Sequence, residues 1–193
     1  YIDNNATTCI DPVVVEAMRP FLTEHFANPS SPYGPARRVA RAMWEARESV
    51  AAVAGAAAEE VVFTSGGTEA NNTAVRAVLG ASPSRRRILV SAVEHASVLE
   101  AVRTLRGQEG VEVVALPVDR EGRLRMDVLA AELDDRVALV STMLANNETG
   151  VLFPVAEVAA LAREWGALVH CDAVQAVGKI PVDFCRLGVD MMS

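Results

Sequence analysis

The chain has 193 residues, 51% of them hydrophobic and 22% charged, with a net charge of −7: enough for one domain and too apolar for a disordered chain. The acidic balance disfavours a nucleic-acid surface, which needs a basic face, and no apolar run approaches the roughly 20 residues of a membrane span. Cys9, Cys171 and Cys185 lie at unrelated spacings that suggest neither a disulfide framework nor a zinc site, and with no secretion signal visible the expected compartment is the cytoplasm.

In chain order, Asp11-Pro12 predicts the N-cap and first position of a helix over Val13–Glu24. The segment Phe26–Pro35, rich in proline, reads as loop, and Ala36–Ala54 as a long amphipathic helix. A regular alternation follows. Strands are predicted over Val61–Ser65, Ile88–Ala92, Val111–Leu116, Val137–Met143 and Ala167–Cys171, with another beginning at Val189–Ser193. Between them lie helices over Thr68–Leu79, Ala96–Leu105, Met126–Leu133 and Pro154–Trp165. Apolar strands joined by helices predict an α/β fold with a mostly parallel sheet covered on both faces. In such sheets ligands bind at the carboxyl ends of the strands.

Four strand ends carry candidate chemistry. Gly66-Gly67-Thr68-Glu69 opens a helix, where free amides and close backbone approach suit a phosphate. It matches neither dinucleotide nor triphosphate fingerprints, and it also reads as a tight turn capped by Thr68. His95, after Glu94, is either a helix cap or an imidazole facing a ligand for stacking or proton transfer. Asn146-Asn147 before Gly150 reads as Asx-turns or as amides donating to a ligand oxygen. Asp172 and Gln175 follow the last long strand. A lone aspartate there can ligate magnesium, orient a histidine or pair with a protonated ring nitrogen, the last being the tuning device of pyridoxal 5'-phosphate (PLP) enzymes. No second acid accompanies it, so no metal is expected. Cys171 reads as a buried small hydrophobe.

Taken together, Asp3-Asn4-Asn5-Ala6-Thr7-Thr8, Asn28-Pro29-Ser30-Ser31, Phe63 to Asn71 (FTSGGTEAN), Glu94-His95, Asn146 to Gly150 (NNETG) and His170 to Lys179 (HCDAVQAVGK) resemble, in order, the motifs of cysteine desulfurases of the NifS/IscS type, class V aminotransferase-fold enzymes. DNNATT, Leu116-Pro117-Val118-Asp119 and ANNETG followed by Leu152-Phe153-Pro154-Val155 are more similar to the nitrogen-fixation branch, NifS. The resemblance implies an aspartate aminotransferase-like large domain over residues 16–193 after an N-terminal segment over 1–15. It implies PLP as cofactor, with Gly67 and Thr68 on the phosphate, His95 stacked on the ring and catalytic, Asn147 on the ring, Asp172 on its nitrogen and Gln175 on the phenolic oxygen. The implied reaction takes sulfur from L-cysteine, leaves L-alanine and parks a persulfide on an enzyme cysteine. The implied partners are a second copy, in a homodimer, and an iron–sulfur scaffold protein as sulfur acceptor.

In that family the Schiff-base lysine follows the aspartate in a Ser-x-His-Lys segment, which would fall just beyond Ser193, and the persulfide cysteine and substrate-carboxylate arginine lie farther on. The chain is therefore expected to be the N-terminal half of a longer protein. Lys179, the sole lysine, and the three cysteines match none of these positions and receive no catalytic role. Other readings remain open: a selenocysteine lyase, an aminotransferase, or a non-catalytic phosphate- or nucleotide-binding domain.

Overall fold

A computed structural model describes residues 1–81 and 84–193. It divides into two compact units, Tyr1–Val62 and Phe63–Ser193.

In the first unit, helix α1 (Pro12–Thr23) starts where proline's fixed φ suits a first turn, and Val13 N–H donates to Asp11 Oδ1 at 2.8 Å. Val13, Phe21 and Leu22 are exposed. Helix α2 (Gly34–Ala54) begins two residues before the expected Ala36, because Gly34 and Pro35 occupy its first turn. Its buried residues are small: Ala36, Val39, Ala51 and Ala54.

The second unit is a sheet of β1 (Arg87–Ser91), β2 (Glu112–Leu116), β3 (Val137–Met143), β4 (Leu168–Asp172) and β5 (Met191–Met192). Every pairing is parallel and the order is β2-β1-β3-β4-β5. The helices are α3 (Gly67–Ala81), α4 (Ala96–Leu105), α5 (Met126–Glu132), α6 (Val155–Glu164) and the short α7 (Phe184–Leu187). β1 and β3 are buried along their whole length, as a sheet covered on both faces requires. Alternation divides the core in two. Ile88 and Val90 join Val75 and Val78 of α3 and Val98, Ala101 and Val102 of α4. Leu89, Val140 and Val169 point the other way, with Leu129 of α5 and Val158 and Ala162 of α6.

One expected strand is absent. Val61–Ser65 forms no strand, and Val62 and Phe63 are exposed. β-Branched residues supply strand propensity, but a strand also needs a ladder partner, and the edge strands β2 and β5 pair only inwards.

The strand order places the topological switch between β1 and β3: β2 lies on one side of β1, and β3, β4 and β5 follow on the other. The crevice outside the carboxyl ends at such a switch is where open α/β sheets bind ligands. The opposite edge is closed by charge. Arg87 is 9% exposed; its Nε donates to Glu112 Oε1 at 3.1 Å, and its Nη atoms reach the carbonyl and carboxylate of Glu132. Arg136 pairs with Asp134 at 2.6 Å beside it. Because the carboxylate partners are one-third to one-half exposed, water shares their charge and the network is worth less than a fully buried one. Arg87→Ala is expected to lower stability by about 1–3 kcal/mol through this unpairing and lost packing, read as a shift of the denaturant midpoint at unchanged m-value in the full protein.

Candidate functional site

Asp172 ends β4 at the carboxyl edge of the sheet and is buried. Val174 N–H donates to its Oδ1 at 3.1 Å and Asn71 Nδ2 donates to its Oδ2 at 2.8 Å. No ion pair reaches it among the described residues, so a buried carboxylate is held by neutral donors alone.

Asn71 comes from α3. It lies on the buried stripe with Val75 and Val78, a polar residue at an apolar position, and its Nδ2 also donates to Ser97 Oγ at 2.8 Å. Ser97 is the second residue of α4, with its Oγ 2.8 Å from His95 Nδ1 and its N–H donating to the same nitrogen at 3.2 Å. His95 is thus the N-cap of α4. The capping alternative describes Nδ1, while Nε2 makes no hydrogen bond among the described residues and the ring is exposed. One chain of contacts therefore joins β4, α3 and α4: Asp172, Asn71, Ser97, His95.

Gly67 is the first residue of α3 and Thr68 the second, in a helical turn whose first amides have no intrahelical partner. A Cβ on Gly67 would lie 3.1 Å from Val174 Cγ2; the absent side chain lets the start of α3 sit against the turn that follows Asp172. Ser65 N–H donates to Glu69 Oε2 at 2.7 Å, which closes the turn, and hydrogen bonding from the Ser65 side chain and then its backbone holds the Glu69 carboxyl below its usual range. Asn72 Nδ2 donates to the Thr68 carbonyl at 2.9 Å.

The structure ties the remaining two candidates less directly. Asn147 is half-buried in the loop after β3. Its neighbour Asn146 makes the turn, with Oδ1 accepting from the N–H groups of Glu148 and Thr149 at 3.0 and 2.9 Å, before Gly150 takes φ 74°, a conformation that favours glycine. Asn146 Nδ2 reaches the Val93 carbonyl at 3.3 Å, linking this loop to the one bearing His95. Gln175 lies half-buried in the turn after β4, where Lys179 Nζ donates to its Oε1.

Three residues without an assigned role complete the site. Asn71 and Ser97 carry a legible signal, since each is polar within a buried helical stripe. Glu94 carries none, because only the fold buries it. Met143 N–H donates to Glu94 Oε1 at 2.7 Å, stapling the end of β3 to the turn after β1, across the switch point. Burial, helped by the charge of Asp172, pushes the Glu94 carboxyl up to about 8 despite the pull of that N–H.

Behind the site, His170 is buried between Ser141 Oγ (2.9 Å from Nδ1) and Ser193 Oγ (3.0 Å from Nε2), and burial lowers it to about 4. Burial also drives the Cys171 thiol far above its ordinary range, so it is no nucleophile at neutral pH. Glu94 and His170 act oppositely on stability. Above its ordinary 4.5 the unfolded Glu94 has lost its proton while the folded one keeps it, so stability falls as pH rises towards about 8. His170 is neutral in the fold but protonated when unfolded below its ordinary 6.5, so its contribution is lost as pH falls towards about 4. The two slopes, each at most about 1.4 kcal/mol per pH unit, oppose each other in the overlap and leave Glu94 alone above it. In the full protein, Glu94→Gln is expected to remove the alkaline fall and expose an acid-side rise, measured as denaturant midpoint against pH.

The whole chain, residues 1–193, matches the class-V aminotransferase family. It is 55% identical over 194 residues to a cysteine desulfurase of Cereibacter sphaeroides, covering 100% of this chain and 50% of that protein. It is 47% identical to the cysteine desulfurase NifS of Azotobacter vinelandii, covering 100% and 48%. SspA, solved in complex with cysteine, superposes with a TM-score of 0.95 at 29% identity, over 100% of this chain and 56% of that one. The chain thus spans about half the length of the curated relatives it matches. The parallel sheet, the helices on its two faces and the match along its whole length place this chain in the class-V aminotransferase family, whose cysteine desulfurases depend on PLP.

Proposed function

We propose that the protein containing this chain is a PLP-dependent cysteine desulfurase, and that the chain provides most of the cofactor cradle. The observation that carries this is Asp172: a buried carboxylate held by neutral donors, at a strand's carboxyl end, beside a glycine that opens a helix. That donor set fits a ligand with a protonated ring nitrogen at one end and a phosphate at the other. When bound, PLP supplies an electron sink for charge developing at the substrate Cα.

The residues divide the work. Asp172 holds a proton on the ring nitrogen. The first amides of α3, at Gly67 and Thr68, take the phosphate with the favourable end of the helix dipole. His95 would stack on the ring and present Nε2 to the reacting centre, for hydrogen bonding or proton transfer there. Asn147 and Gln175 contact the ring and its phenolic oxygen. L-Cysteine is the substrate, L-alanine the product, and the sulfur leaves as an enzyme persulfide for iron–sulfur cluster assembly on a scaffold protein, in the nitrogen-fixation branch. The protein works as a cytoplasmic homodimer.

In the full-length protein, PLP absorbance and alanine formation from cysteine test this reading. Asp172→Asn is expected to cut turnover by several orders of magnitude while the protein still folds, because a neutral amide cannot hold the ring proton; near-normal turnover would remove Asp172 from this role. His95→Ala is expected to retain some PLP and lose roughly 10²–10⁴ in rate, the contribution of a positioned acid–base group. If His95 only caps α4, the same variant loses about 1 kcal/mol of stability with alanine production unchanged.

A further inference from the structure

His95 enters the site through a chain of hydrogen bonds whose direction is decided at its far end. A carboxylate only accepts, so the Asn71 amide must turn its Nδ2 towards Asp172 Oδ2, 2.8 Å away. The same NH2 group directs its second hydrogen to Ser97 Oγ at 2.8 Å. Asn71 Oδ1 is left buried without a partner, the cost of that orientation. A flipped amide would set an oxygen against the carboxylate. Ser97 Oγ, already accepting from Asn71, has one hydrogen to give, and His95 Nδ1 lies 2.8 Å away. Ser97 N–H converges on the same nitrogen at 3.2 Å. Nδ1 therefore faces two donors and serves as an acceptor, which leaves the proton of the neutral ring on Nε2.

We infer that Asn71 and Ser97 are positioning residues that transmit the fixed orientation of the Asp172 carboxylate to His95 and hold its neutral imidazole as the Nε2–H tautomer. The neutral ring then offers the site a hydrogen-bond donor at Nε2. A proton accepted at Nε2 would require the Nδ1–H form, which points a ring proton at Ser97 N–H and demands that the hydroxyl turn round. The tautomer is a property of the protein alone; its use on a cofactor rests on the function proposed above.

The test is 15N NMR of the full-length protein labelled with 15N-histidine, at a pH where imidazoles are neutral, with His95→Gln identifying the resonances of His95. The expected wild-type ring is protonated on Nε2. Ser97→Ala removes the hydroxyl but keeps the backbone N–H, and is expected to shift the tautomer ratio about fivefold towards Nδ1–H, as loss of one ordinary hydrogen bond implies. Ser97→Thr keeps a hydroxyl and is expected to keep the wild-type ratio. In the same samples alanine production should fall with Ser97→Ala and recover with Ser97→Thr at unchanged PLP absorbance. A wild-type ring protonated on Nδ1, an unchanged ratio in Ser97→Ala, or a Ser97→Thr ring shifted as far as that of Ser97→Ala overturns the inference. A protein that holds the Nε2–H ring but binds no PLP supports the inference and overturns the cofactor reading instead.

Discussion

A carboxylate buried without a cation has to be satisfied by whatever donors the fold can bring to it, and at Asp172 that requirement organises the carboxyl edge of the sheet. Its two oxygens accept from the backbone of its own turn and from Asn71, which α3 delivers from a stripe otherwise occupied by alanine and valine. Because Asn71 is committed to Asp172, its remaining hydrogen settles on Ser97, and Ser97 settles the ring of His95. The negative charge also helps keep the neighbouring Glu94 protonated, so two acids close together do not both ionise.

The two edges of the sheet solve electrostatics differently. At the amino edge, Arg87 meets carboxylates that remain partly in water. Such a cluster stabilises modestly and tolerates rearrangement. At the carboxyl edge Asp172, Asn71 and Ser97 are buried and joined through neutral donors with defined acceptors, an arrangement that leaves little freedom in which atom carries which proton. The function proposed for this site, holding a charged ring and moving a proton at one atom, needs the second kind of environment.

The switch between β1 and β3 supplies the geometry. Strands leave the crevice in opposite lateral directions, so the turn after β1 and the loop after β3 face one another, and the Met143 N–H to Glu94 bond joins them. The Asn146 amide adds a second link to the Val93 carbonyl. These ties join the turn that bears His95 to the loop that bears Asn147, which gives a structural purpose to residues whose type alone points to no chemistry.

The alternation of apolar runs with helices is legible by eye because side chains buried on both faces of a parallel sheet leave little room for polar residues; β3 and α4 fall where the pattern puts them. His95, Asn147, Asp172 and Gln175 are likewise legible as chemistry-bearing residues at or just after the ends of parallel strands, while Gly67 opens α3 without the strand expected before it. Tertiary structure decided the rest. Val61–Ser65 has the composition of a strand but joins no ladder, and pairing is a property of the sheet rather than of the segment. Whether His95 caps a helix or faces a ligand is not a choice its neighbours in sequence can make; the fold gives the cap to Nδ1 and leaves Nε2 without a hydrogen bond among the described residues. Glu94 and Asn71 acquire their properties from a carboxylate far away in the chain, since burial and hydrogen-bond direction depend on what surrounds an atom, and a sequence records only what precedes and follows it.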